Sequence, residues 1–190
     1  MVSKPIQTDK SLNVQKEKTR FLTIDKHFKP APMDNGDELY PNGIFVFNIT
    51  RMIEYLKEHQ DQITPEIIPV EESRSSFFEP NEDHINTTDF TIPIILAEIS
   101  PGRYNVIDGN HRIEKAYRSS VESILAYKLS PEQHIPFLTS LKGYHAYIEY
   151  WNSKLKASIL YSGKKLSSDE KRIMNYNRRH DPQKQALHRQ

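Results

Sequence analysis

Cysteine is missing from all 190 residues. That absence excludes a disulfide framework, thiolate-bound metal, an iron–sulfur centre and any cysteine nucleophile. A long apolar run is missing as well, as is an apolar core in the lysine-rich first 19 residues. Neither a membrane span nor a secretory signal is therefore expected, and the expected setting is cytoplasmic with no membrane partner. No internal repeat is present, so a solenoid is not expected.

What remains is a chain with 36% hydrophobic and 10% aromatic residues, enough to bury one core. Its net charge of +1 hides an uneven distribution: residues 154–190 hold ten Lys/Arg against three acids, while the first 153 sum to −6. The expected organisation is a flexible arm over 1–19, one domain over 20–160, and a basic helical or disordered tail over 161–190. Such a tail could contact nucleic acid through phosphate neutralisation, but the plainer and preferred reading is a solvated terminal helix with a frayed end.

Periodicity and punctuation predict the elements. Phe21–Ile24 reads as a short strand, and Pro30, Pro32 and Gly36 mark a loop. Gly43–Phe47 reads as a strand that enters a helix capped by Asn48, with Ile49, Met52, Ile53 and Leu56 at helical spacing. Ile67–Val70 is an edge strand because its proline cannot donate to a central ladder. Asn81, followed by Glu82 and Asp83, starts a further helix. Ile92–Ile99 and Tyr104–Ile107 flank Ser-Pro-Gly-Arg and form a hairpin. A helix follows Asp108, then a strand over 123–128, a capped turn at Ser130, an aromatic helix from Gly143, and a basic helix opened by the capping box Ser167–Glu170.

The chemistry is concentrated in Asp108-Gly109-Asn110-His111-Arg112. Here an apolar strand ends in a carboxylate, a glycine permits the turn, and a helix begins immediately. The first turn of a helix has unpaired N–H donors and a partial positive charge, so it attracts anions. Gly109 and Asn110 would bring backbone donors to a phosphate, and His111 and Arg112 would add side-chain donors. Asp108 is a candidate metal ligand, catalytic base or hydroxyl contact. The plainer reading is a capped helix with exposed first-turn residues. Against it, cationic side chains at a helix N-terminus are disfavoured unless an anion joins them.

Over Pro93–Lys128 this pattern resembles the ParB/sulfiredoxin-like group. Gly109, His111 and Arg112 match the Gly-Cys-His-Arg of sulfiredoxins, Gly109 and Arg112 match the Gly-Glu-Arg-Arg of ParB proteins, and Asp108, Gly109 and Arg112 match the Asp-Gly-His-Thr-Arg of ADP-dependent free serine kinases. The resemblance implies a mixed α/β (α+β) ParB/sulfiredoxin-like domain with additional C-terminal helices. It also implies a nucleoside di- or triphosphate bound at the turn, with Mg²⁺. Asn110 stands where sulfiredoxins carry their reductive cysteine, which excludes that activity.

Phosphoryl transfer or nucleotide hydrolysis is the expected chemistry if the protein is an enzyme, with Asp108, His111 and Glu98 as catalytic candidates. Arg74, in the polar segment from Glu71 to Phe90, is a candidate second phosphate contact. Two other readings stay open: a ParB-like nuclease or nucleic-acid-binding protein, and a non-catalytic module in which nucleotide controls a partner interface.

Overall fold

The structure, a computed structural model, describes residues 20–74 and 79–181. The arm predicted over 1–19 and the end of the tail from 182 lie outside these residues. The described chain is mixed α/β: a two-stranded hairpin, β1 (Leu39–Asn42) with β2 (Phe45–Asn48), and a four-stranded sheet flanked by helices. That sheet contains β3 (Glu66–Pro69), β4 (Ile94–Ser100), β5 (Arg103–Asp108) and β6 (Ser123–Leu129), in the spatial order β3-β6-β4-β5. β4 runs parallel to β6 and antiparallel to β5, while β3 is antiparallel to β6 at one edge.

Alternation along β4 divides the core. Ile94 and Leu96 point to one face, where they meet Ile68, Ile124 and Ala126 under α2 (Val70–Ser73) and α4 (Asn110–Arg118). Ile95, Ala97 and Ile99 point to the other, against α1 (Ile49–Glu58), the β1–β2 hairpin and the long α6 (Leu141–Tyr161). α6 contributes Tyr144, Tyr147, Ile148 and Trp151 at the predicted helical spacing. Caps are where the sequence put them: Asn48 accepts the Arg51 N–H at 3.1 Å, Asn81 starts α3 (Glu82–Thr87), and capping boxes open α5 (Pro131–His134) and α7 (Ser168–His180). Among the described residues no helix is long and apolar enough to cross a membrane.

One predicted element is corrected. Phe21–Ile24 is not a strand, because the backbone groups of Leu22 and Ile24 are taken by side chains of α6 and α7. Side-chain amides take the place of a ladder. Asn152 of α6 accepts the Leu22 N–H and donates to the Leu22 carbonyl, both at 2.8 Å. Asn177 of α7 donates to the same carbonyl at 2.7 Å and accepts the Ile24 N–H at 2.9 Å. Trp151 donates to the Arg20 carbonyl at 2.9 Å, and the Tyr144 hydroxyl accepts the Asp25 N–H at 2.7 Å. Backbone that must be buried finds its partners on side chains. β1 and α2 are two short elements that the sequence reading did not anticipate.

At the end of β4 a second substitution for a ladder occurs. β6 pairs with β4 only as far as Ala97↔Leu129, and the β4–β5 register shifts between Glu98 and Ser100. The Glu98 carbonyl instead accepts from Tyr147 Oη at 2.7 Å and His134 Nε2 at 3.1 Å. A carbonyl can only accept, so His134 carries its proton on Nε2. Its Nδ1 is buried without a hydrogen-bond partner among the described residues. Burial accordingly pushes the imidazole down to about 4.

Two consequences are measurable. Unfolded His134 would bind a proton below about pH 6.5 that the folded form refuses until about 4. Its contribution is therefore complete above pH 6.5 and is lost as pH falls through that window, by about 3 kcal/mol in total. Urea titrations at pH 7 and 4.5 should show the loss, and His134→Gln, which can still donate but does not titrate, should flatten it. An unchanged pH slope in that variant would refute the assignment. Asn152→Ala should lower stability at pH 7 by about 1–3 kcal/mol, the cost of stranding the Leu22 N–H.

Candidate functional site

β5 delivers the chain to Asp108, and Gly109 turns it with φ +100° and ψ 20° into α4. Two constraints require glycine there. The left-handed backbone disfavours a side chain, and a Cβ would lie 2.5 Å from Ile94 Cγ2 and 2.9 Å from Ile94 Cβ. The turn is thus pressed directly onto the central strand. The N-cap of α4 is Gly109, which has no side chain to cap it, whereas Asn48, Asn81, Ser140 and Ser167 cap α1, α3, α6 and α7. The first-turn N–H groups of such a helix have no intrahelical partner.

Arg112 is turned back from this opening. Its guanidinium pairs with the Asp108 carboxylate and donates from Nη1 to the Pro93 carbonyl at 3.1 Å. Both charged side chains are largely covered, at 13% and 15% exposed. In this arrangement Arg112 ties the end of β5 to the residue just ahead of β4, and the Asp108 carboxylate is occupied. The electrostatic conflict of an arginine in the first turn of a helix is resolved internally by a protein carboxylate.

Asn110 faces a different environment. It lines a cavity of about 970 Å³ over the part of the sheet that α4 leaves uncovered, where Leu96, Tyr104 and Val106 also line it. Arg74 and Lys128 supply positive charge to the lining, and Glu66 and Glu72 supply negative charge. Lys128 is paired with Glu66 at 2.9 Å and sits 4.7 Å above the Tyr104 ring. The Tyr104 phenol is pushed up to about 12, mainly by burial and then by the Glu98 and Glu66 charges, so it remains a neutral donor at physiological pH.

Arg74 is held in place by α4 itself. Its Nε donates to Glu114 Oε2 at 2.9 Å, and the guanidinium lies 3.9 Å from the centre of the Tyr117 ring. Glu114 is only 7% exposed and is shared with Arg118 Nε at 2.9 Å. Arg118 then reaches Glu82 of α3 at 2.6 and 3.0 Å. The Arg74 hydrogen bond, reinforced by Arg118, holds the Glu114 carboxyl below its ordinary range against the opposing effect of burial. One buried carboxylate therefore fixes two arginines, joining α2, α3 and α4.

The three catalytic candidates are not brought together. Asp108 is paired with Arg112. His111 is turned toward α3, where the Asn81 N–H approaches its Nε2 at 3.5 Å and the His84 ring meets it edge-on at 4.9 Å. Burial and then the nearby His84 depress His111 below its ordinary value, which favours the neutral ring. Glu98 lies at the other end of the hairpin, where its carboxylate accepts the Gly102 N–H at 2.7 Å. Among the described residues no group of three or more His, Asp or Glu is placed to hold a metal ion.

The structure instead joins Asn110 and Arg74, both candidates from sequence, with Lys128, Tyr104 and Glu114, which sequence reading missed. A signal for Glu114 was present: its spacing to Arg118 is that of a helical ion pair. Lys128 was marked by its alternation with Ile124 and Ala126 on an inward-facing strand. Comparisons with protein-family models, curated proteins and solved structures return no match for this chain.

Gly109→Ala should cost about 2–4 kcal/mol through the combined backbone and overlap penalties. Thermal or urea unfolding of the purified variant checks this; a loss below about 0.5 kcal/mol, typical of surface substitutions, would contradict the close packing of the turn on Ile94.

Proposed function

We propose that the cavity beside α4 binds the phosphates of a nucleoside di- or triphosphate, at the Asp-Gly-Asn-His-Arg turn that resembles ParB/sulfiredoxin-like proteins. One observation carries the reading: Asn110, the first residue of a helix whose N-cap is a glycine, lines the same cavity as an arginine already held in place by Glu114 and Tyr117. Backbone donors and a fixed guanidinium are the two components a phosphate group requires. The first-turn N–H groups and the Asn110 amide would take phosphate oxygens, and Arg74 would provide the side-chain charge. Fixing Arg74 in advance lowers the entropy lost on binding.

Arg112 and Asp108 have a supporting role in this reading: together they hold the turn that presents the donors. Mg²⁺ would be carried mainly through phosphate oxygens and water, as that ion prefers, because the Asp108 carboxylate is committed to Arg112. If turnover accompanies binding, it rests on phosphate charge stabilisation by Arg74 and the helix terminus.

Isothermal titration of ATP, CTP, GTP and ADP with Mg²⁺ tests the proposal. One of these ligands should bind wild type, and Arg74→Ala should weaken it about 10–100-fold, the range for losing hydrogen bonds to a charged group. Arg112→Ala should weaken binding only together with a measurable loss of stability. No binding of any nucleotide by wild type would overturn the reading.

A further inference from the structure

α7 displays charge in a pattern that the nucleotide reading does not use. Ser168, Lys171, Arg172, Asn175, Arg178 and Arg179 recur at three- and four-residue spacing and therefore share one helical face. All six are exposed. Four are cationic and none is acidic. Asp169 lies beside this stripe and pairs with Arg172 at 3.2 Å, with both side chains about four-fifths exposed, so the pair costs little to open.

The opposite face fixes the helix. Asn177 holds the Leu22 carbonyl and Ile24 N–H, Ile173 lines a cavity with Phe21, Leu22 and Phe28, and Lys26 lies 5.6 Å from the Tyr176 ring. A capping box secures the first turn, and the basic last turn suits the helix dipole. The stripe is thus a positioned surface about 20 Å long.

We infer that the outward face of α7 docks on duplex DNA, with Lys171, Arg172 and Arg178 on phosphates and Asn175 toward the groove. A helix of this width enters the major groove of B-form DNA, and a central asparagine is suited to a base edge. Each alternative polyanion lacks a feature it needs. A membrane surface calls for apolar side chains facing the bilayer, but Ile173, which lines the inner cavity, lies on the opposite face. Single strands call for exposed aromatic rings, and the stripe has none. Duplex RNA has a deep, narrow major groove closed to side chains.

Fluorescence anisotropy of the full chain with a labelled mixed-sequence DNA duplex of about two helical turns, from 50 to 200 mM salt, tests the inference. Wild type should bind at 50 mM salt, with affinity falling steeply as salt rises. Lys171→Gln/Arg172→Gln/Arg178→Gln should weaken binding at least tenfold and reduce the log–log salt slope by about two to three, near 0.9 for each phosphate no longer neutralised. Arg172→Lys/Arg178→Lys, which keeps the charge, should retain the slope and so separate loss of phosphate neutralisation from misfolding. The inference is overturned if wild type does not bind, or if the glutamine triple variant binds like wild type. It is equally overturned if duplex RNA, polyglutamate or phosphatidylserine vesicles bind through the same three residues at least as tightly as DNA.

Discussion

A strand that outruns its neighbour must find new partners for its last backbone groups, and β4 does so at the Glu98 carbonyl. Tyr147 and His134 both donate to that one oxygen. Through it the central strand sets the position of α5 and α6 against the sheet, and neither donor has freedom to move, since both side chains are fully buried. Once α6 is fixed, Trp151 and Asn152 stand where they can receive the extended segment around Leu22. A neutral histidine whose second nitrogen has no partner among the described residues is a costly way to satisfy a carbonyl. It joins three elements where a fifth ladder residue would have joined two.

On the opposite face the same economy operates with charge. Glu114 alone would be an expensive group to bury, and two guanidinium groups offset that cost. It also orients Arg74, which lines the cavity that Asn110 lines. The Asp108–Arg112 pair orients the turn itself, from the strand side. Two ion pairs with similar chemistry thus differ in purpose: one braces the backbone, and the other aims a side chain toward the cavity.

Most of the fold was legible because it rests on local rules. Caps at Asn48, Asn81 and Ser167, the hairpin around Pro101-Gly102, and the apolar periodicity of α1, α4 and α6 are each written within a few consecutive residues. What failed was non-local. Phe21–Ile24 has the composition of a strand, and only the placement of Asn152 and Asn177, more than 120 residues away, decides that its partners are amides. The site divides along the same line. Gly109 as the turn and α4 as an open helix start could be read directly. The direction taken by Arg112, His111 and Glu98 could not, because it depends on Pro93, Asn81 and Gly102, whose positions the fold sets. Spacing indicates which side chains share a helix face, not which neighbour each will choose.

The paired amides around Leu22 also dictate an order of events during synthesis. Ile24 and Asn177 are separated by 153 positions, and Leu22 and Asn152 by 130. The hairpin, α4 and β6 can associate as soon as they leave the ribosome, since their partners are near in sequence. The segment at 20–25, made before them, stays without its partners until α6 and α7 have both emerged. Such long loops close late and slowly. The earliest part of the described chain is therefore the last to be locked, and for the duration of translation it offers chaperones or proteases an extended, apolar stretch that the finished protein conceals.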